Sequence, residues 1–257
     1  MEPAKRLRQK IARRELTTGI LAIHHVWPEL VEVCQRAGLD YLIVDMEHGP
    51  FSPETVAEIC AVGRRADFAV LVRPRANDYT NLRHAIDLGP VGFLLACIES
   101  TDDLDVVRDA IYLPPRGRRR PGGLGNRWVA DALAPTWKRE VEDDFIVLPQ
   151  VETRCGLENA TAIAKHSITT ALAAGPYDLS AELGACGKMD DPALKRALEM
   201  IQSAARAAGK EPWMIGDGAQ LVRDGWRFVC LGEPTWLLEE ALRYKIANAA
   251  AACRTVS

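Results

Sequence analysis

The chain has 257 residues, of which 48% are hydrophobic, with 32 lysines and arginines against 35 aspartates and glutamates for a formal charge of −3. That length buries a sizeable core, and the near-neutral balance excludes the basic face that nucleic-acid backbones require, since the one basic run, "RGRRR" at 116–120, is too local to supply it. No stretch reaches the ~18 consecutive apolar residues of a membrane span, the opening "MEPAKRLRQKIARREL" has no apolar run behind it, and the seven scattered cysteines include no CxxC pair, so a reduced cytoplasmic protein is expected.

In chain order, eight short apolar runs occur at 19–25, 41–46, 69–74, 91–97, 145–151, 169–175, 211–217 and 226–232. They are near-continuous rather than alternating, as strands covered on both faces are. Between them lie segments such as "SPETVAEICAVGRRA" and "DPALKRALEMIQSAARAAGK", with apolar residues at helical spacing and Ser-Pro or Asp-Pro at the start. Eight strand–helix units in this length predict one closed (β/α)8 barrel, a TIM barrel, as a single domain over 1–257. The long interruption at 114–144, between the fourth and fifth runs, is expected to be an excursion over one mouth of the barrel.

A parallel barrel gathers its chemistry at the C-terminal ends of its strands. Polar residues recur there: Asp45, Glu47 and His48 after the second run, Arg73 at the end of the third, Glu99 after the fourth, Gln150 and Glu152 on the fifth, Asp178 after the sixth, Asp217 and Glu233 after the last two. Arg73, Gln150 and Glu152 sit within or directly on apolar runs, where an unpaired charge costs several kcal/mol, so they need partners or a purpose.

Glu152 and Asp178 are hard oxygen donors from adjacent strands, enough to hold a divalent ion and leave most of its coordination to water and substrate. His48, three residues after Asp45, fits an imidazole with one nitrogen held by the carboxylate and the other free to move a proton. Arg73 can stabilise a developing oxyanion, and "GPYDLS", with Gly175, Pro176, Tyr177 and Asp178, offers main-chain N–H groups as a seat for a substrate carboxylate. Together these residues describe metal-assisted enolate chemistry on a small carboxylic acid.

The segments "YLIVDMEHGP", "VRPRANDYTNLRHAIDLG", "LPQVETRCGLENA" and "GPYDLSAELG", in this order, resemble the HpcH/HpaI family of class II pyruvate aldolases over residues 16–242. The resemblance implies a barrel with Mg2+, Mn2+ or Co2+ held at Glu152 and Asp178, a base at His48 paired to Asp45, Arg73 on the keto oxygen and Gln150 supporting substrate and metal. It further implies cleavage of 4-hydroxy-2-oxo acids into pyruvate and an aldehyde, in hexamers or trimers whose C-terminal helices are exchanged, here "LLEEALRYKIANAAAA". Ala96 and Cys97 in the fourth strand, Arg120 in "PPRGRRRPGG" and Tyr177 depart from the family pattern, so the aldehyde half of the substrate is not carried over.

Other polar residues receive plainer roles. His24 and His25, within reach of the pocket, are read as structural hydrogen-bonding groups, Glu47 as support for the His48 loop, Cys97 as packing, and Trp213, Trp226 and Trp236 as core or subunit contacts. An oxaloacetate decarboxylase or a citryl or malyl lyase would use the same enolate, and a non-catalytic scaffold would have no use for these buried charges.

Overall fold

The computed structural model describes residues 1–121, 128–129 and 133–256, the side chains of 255 and 256 excepted. Every apolar run becomes a parallel strand: β1 (Thr17–Ala22), β2 (Tyr41–Asp45), β3 (Ala69–Arg73), β4 (Gly92–Leu95), β5 (Ile146–Val151), β6 (Ala171–Ala174), β7 (Glu211–Ile215) and β8 (Phe228–Cys230). Each pairs with the next, and β8 returns to β1 with Gly19 beside Cys230, which closes the barrel. The strands are apolar on both faces because the barrel interior takes one and the helices cover the other.

The helices are α1 (Glu2–Ala12), α2 (Leu30–Ala37), α3 (Pro53–Arg65), α4 (Tyr79–Asp87), α5 (Thr101–Ile111), α6 (Ala134–Trp137), α7 (Arg154–Glu158), α8 (Ala160–Lys165), α9 (Pro176–Glu182), α10 (Pro192–Ala207), α11 (Gly218–Arg223) and α12 (Pro234–Val256), with a π-helical turn, Lys138–Glu142, after α6. Local chemistry starts them. Ser52 accepts from the Thr55 N–H ahead of Pro53, and Asp191 accepts from the Ala193 N–H ahead of Pro192, so both helices begin on a capped, proline-fixed turn. Each then buries one face: Val56, Ile59 and Cys60 on α3, Leu194, Ala197 and Ile201 on α10. Each large side chain buried this way contributes roughly 1.5–3 kcal/mol.

The lower half of the barrel is filled across its width. The Trp213 indole on β7 donates to the Tyr41 hydroxyl on β2 at 2.8 Å, and that hydroxyl donates to the Val229 carbonyl on β8 at 2.8 Å. Burial pushes the Tyr41 phenol well above its ordinary range, so it remains a donor. Gly19 permits the arrangement, because a Cβ there would collide with the Tyr41 ring.

The long interruption does not lie over the expected mouth. Ser100 and Asp103 form a reciprocal cap that starts α5 directly after β4, so the excursion joins α5 to β5 and runs along the N-terminal side of the barrel. Its anchors are on that side: Arg119 is buried, donates to Asp87 Oδ1 at 2.7 Å and lies 4.7 Å over the Trp137 ring. Trp128 donates to the Gly89 carbonyl at 2.8 Å, and the N-terminal amine donates to the Glu140 carbonyl at 3.0 Å. Residues 122–127 and 130–132 of the excursion lie outside the described residues. Among the described residues no helix is long and apolar enough to cross a membrane.

Candidate active site

Parallel register sets Asp45, the last residue of β2, beside Arg73, the last of β3. Both are buried, and the arginine takes the carboxylate with two nitrogens: Nε donates to Oδ1 at 2.9 Å and Nη2 donates to Oδ2. Burial opposes the guanidinium charge, but Asp45, Glu47 and Glu152 outweigh it and hold the Arg73 pKa above the ordinary arginine value. Asp45 Oδ1 also accepts from the main-chain N–H groups of Glu47 at 2.9 Å and His48 at 3.4 Å.

This corrects the expected pairing of Asp45 with the His48 ring. Asp45 meets His48 through the main chain, and the carboxylate beside the ring is that of Glu47, whose Oε2 is 3.8 Å from His48 Nε2 and 3.2 Å from Arg73 Nε. The cause is geometric: neighbouring parallel strands lie about 5 Å apart, within an arginine's reach, while the turn after β2 carries His48 outward. Its side chain is 60% exposed at the mouth.

Gln150 and Glu152, two residues apart at the end of β5, share one side of the strand, and both are buried. Glu152 Oε1 accepts from the Cys97 N–H at 2.6 Å, whereas Glu152 Oε2 and Gln150 Oε1 are buried without a hydrogen-bond partner. Burial pushes the Glu152 carboxyl above its ordinary range; the Cys97 N–H and thiol offset this, and the charges of Asp178 and Glu47 add to it. Gly175 faces this pair. A Cβ there would run into Glu152 Oε2 and stand 2.7 Å from Gln150 Nε2, so glycine is what lets the carboxylate and the amide pack against the turn after β6.

A buried carboxylate oxygen without a partner costs about 1–3 kcal/mol or more, which a cation beside it would remove. The donors there are hard oxygens, the chemistry that Mg2+ and Mn2+ take. Among the described residues no group of three His, Cys, Asp or Glu side chains forms a metal-holding set. A divalent ion here would rest on fewer than three such side chains, with the rest of its coordination falling to water and substrate.

The "GPYDLS" turn is narrower as an anion seat than expected. The Gly175 N–H is spent on the Val151 carbonyl at 3.0 Å and Pro176 has none, which leaves the Tyr177 and Asp178 N–H groups ahead of the first intrahelical bond, Leu179 N–H to the Gly175 carbonyl. The Tyr177 ring runs beside Gly187 and is largely exposed, so Tyr177 serves the turn through its main chain. Ser180 Oγ donates to the Tyr177 carbonyl at 2.6 Å and accepts from the Gly187 N–H at 2.8 Å, fixing the turn.

Ser180 and Cys97 carry functions that sequence reasoning passed over. Cys97 holds a left-handed backbone at φ 49°, and that strain aims its N–H at Glu152. Burial, with Glu152 beside it, pushes the Cys97 thiol up to about 12, but the residue is exposed, so what it contributes is its main-chain N–H and not the packing expected of it. Asp217 caps α11 by accepting from the Gln220 N–H at 2.7 Å, and Glu233 is fully buried beside His24. Neither joins the carboxylate pair.

The HpcH/HpaI aldolase/citrate lyase profile matches residues 23–231. The chain is 32% identical over 213 residues to a 4-hydroxy-2-oxovalerate aldolase of Rhodococcus jostii (strain RHA1), covering 80% of this chain and 81% of that one. It is 32% identical over 229 residues to a hydroxypyruvate/pyruvate aldolase of Deinococcus radiodurans, covering 86% and 81%. The crystal structure of an HpcH/HpaI aldolase/citrate lyase family protein from Burkholderia cenocepacia J2315 superposes with a TM-score of 0.86 at 25% identity, covering 95% of this chain and 99% of that one. With the barrel, the buried carboxylate and the matched span in agreement, this chain belongs to the HpcH/HpaI aldolase/citrate lyase family.

Proposed function

We propose that the protein is a metal-dependent aldolase that splits 4-hydroxy-2-oxo acids into pyruvate, or a close 2-oxo acid, and an aldehyde, and joins the two in reverse. The observation that carries this is the unpaired, buried Glu152 Oε2 beside Gly175, within electrostatic reach of Asp178 and Arg73.

Glu152 and Asp178 would hold a divalent ion, Mg2+, Mn2+ or Co2+, which when bound supplies Lewis acidity to a 2-oxo carboxylate. The Tyr177 and Asp178 N–H groups bind the carboxylate, and the Gln150 amide orients it. Arg73, held rigid and charged by Asp45, faces the C2 oxygen, where negative charge grows as the C3–C4 bond breaks. His48 takes the proton of the 4-hydroxyl; the freed electron pair becomes the aldehyde C=O, and the C3–C4 pair moves into the enolate of the 2-oxo acid. Protonation at C3 completes pyruvate. Asp45 acts through Arg73 and the His48 main chain, so it is a positioning residue.

Chelation tests the reading. EDTA abolishes cleavage and added Mn2+ restores it, whereas full activity in EDTA with borohydride trapping of a lysine adduct overturns it.

We further read α12 as an exchanged assembly helix of a homo-oligomer, as the family resemblance implies. Two features support this: Leu238, Leu242, Tyr244 and Ile246 are exposed along it, and an apolar groove of about 520 Å3 lies between α2 and the start of α12. The scattered cysteines fit a cytoplasmic setting.

A further inference from the structure

We propose that His24 and Trp236 form the wall that recognises the aldehyde half of the substrate, and that this wall favours planar aromatic aldehydes over simple alkyl ones. The inference rests on the aldolase reading above and adds the class of the second reactant.

Place in the barrel is the first argument. The groups assigned to the 2-oxo acid end β2, β3, β5 and β6, so the remaining half of the substrate faces the other arc of the same mouth, β7, β8 and β1. On the arc, Asp217 is spent as the cap of α11 and Glu233 is fully buried. His24 and Trp236 there combine exposure with recognition chemistry and share a buried anchor: the imidazole is 58% exposed and the indole residue, in the single chain, 53%.

Glu233 fixes the pair. Its Oε1 accepts from the His24 N–H at 3.4 Å; its Oε2 accepts from the Thr235 N–H at 2.7 Å, the Thr235 hydroxyl and the Trp236 N–H at 3.3 Å. Burial opposes its charge, yet these bonds hold its carboxyl below the ordinary range. His24 Nδ1 lies 3.7 Å from Oε2, which turns that edge of the ring inward and leaves Nε2 to the mouth. The two rings stand 6.0 Å apart, inclined at 52°, as an open angled wall. A planar guest stacks on the indole face, and a ring hydroxyl donates to the imidazole Nε2. A short alkyl chain gains neither contact.

The test uses the full-length protein loaded with Mn2+, pyruvate as donor, and benzaldehyde, 4-hydroxybenzaldehyde and propanal as acceptors. Exchange of pyruvate methyl protons in D2O by the wild type reports the donor half alone; without it the aldolase reading fails, and this inference with it. Given exchange, the wild type should prefer benzaldehyde to propanal in kcat/KM. Trp236→Leu should reduce that ratio roughly two- to tenfold, the worth of one aromatic contact, and Trp236→Phe should keep it. His24→Ala should reduce the 4-hydroxybenzaldehyde to benzaldehyde ratio by a similar factor. Because each ratio is measured within one protein sample, partial misfolding cancels. Exchange with no aromatic preference in the wild type, or with both ratios unchanged in the variants, overturns the wall and leaves the aldolase reading standing.

Discussion

Asp45 and Arg73 end adjacent strands at matched positions, and the carboxylate of one receives two nitrogens of the other with both side chains buried. Removing one partner of such a pair leaves the other charge stranded. Asp45→Asn is therefore expected to cost about 3 kcal/mol of stability, read as a lower urea midpoint, and to lower turnover through a loosened Arg73. A wild-type midpoint in Asp45→Asn would show that the pair contributes no net stability.

His48 should behave in the opposite way. Its side chain is mostly exposed and its ring stands 3.8 Å from the Glu47 carboxylate, beyond hydrogen-bond distance, so His48→Ala should leave the midpoint within about 0.5 kcal/mol of wild type. Turnover should fall by roughly two to four orders of magnitude, with Mn2+ affinity little changed. Turnover near wild type would remove His48 as the proton carrier.

Gly175 tests the surroundings of the carboxylate without altering charge. Its φ of −102° suits alanine, but the added methyl would collide with Glu152 Oε2 and push the carboxylate out of place. Gly175→Ala and Asp178→Asn should each weaken Mn2+ binding by about tenfold or more in calorimetry. If Asp178→Asn binds Mn2+ as the wild type does, Asp178 serves only the start of α9.

Glu211 offers a pH test remote from the chemistry. It is buried at the start of β7, 3.6 Å from Arg14; burial pushes its carboxyl above the ordinary range, and Arg14, Arg206 and Arg227 pull it partly back. The fold thus holds this proton more tightly than the unfolded chain does. Its contribution to stability is full below the unfolded glutamate pKa of about 4.3 and is lost as pH rises through the higher folded value. Glu211→Gln should therefore gain in melting temperature over the wild type at about pH 8 and not at about pH 4. A loss at the higher pH would mean that the arginines outweigh burial.

Charge placed on α12 tests the assembly. Leu242→Glu combined with Ile246→Glu should shift the protein to a smaller species in light scattering with the circular dichroism spectrum preserved, because both positions are exposed on the isolated chain. An unchanged mass would locate the subunit contacts elsewhere.

The barrel was legible because eight near-continuous apolar runs admit few other arrangements, and polar residues at their ends marked the mouth. Partnerships were less so. Spacing along the chain joins Asp45 to His48, three residues away, but strand register joins it to Arg73, twenty-eight residues away, and register is not written in one strand. The place of the excursion depends on "STDD", which caps α5 and makes the link one that follows a helix, whereas the spacing of apolar runs alone points to a link after a strand. The backbone of Cys97 left no mark in composition at all, since its left-handed turn is imposed by the carboxylate it serves.

The thread from Trp213 through Tyr41 to Val229 makes the barrel a vessel with a floor. In the aldolase reaction proposed above, a 2-oxo acid held at Glu152 would have one doorway, and an aldehyde lying between it and that doorway would block the exit. Cleavage would then release products in a fixed sequence, aldehyde before pyruvate, and synthesis would load them in reverse. Pyruvate should consequently inhibit cleavage competitively with the intact substrate, and the aldehyde noncompetitively.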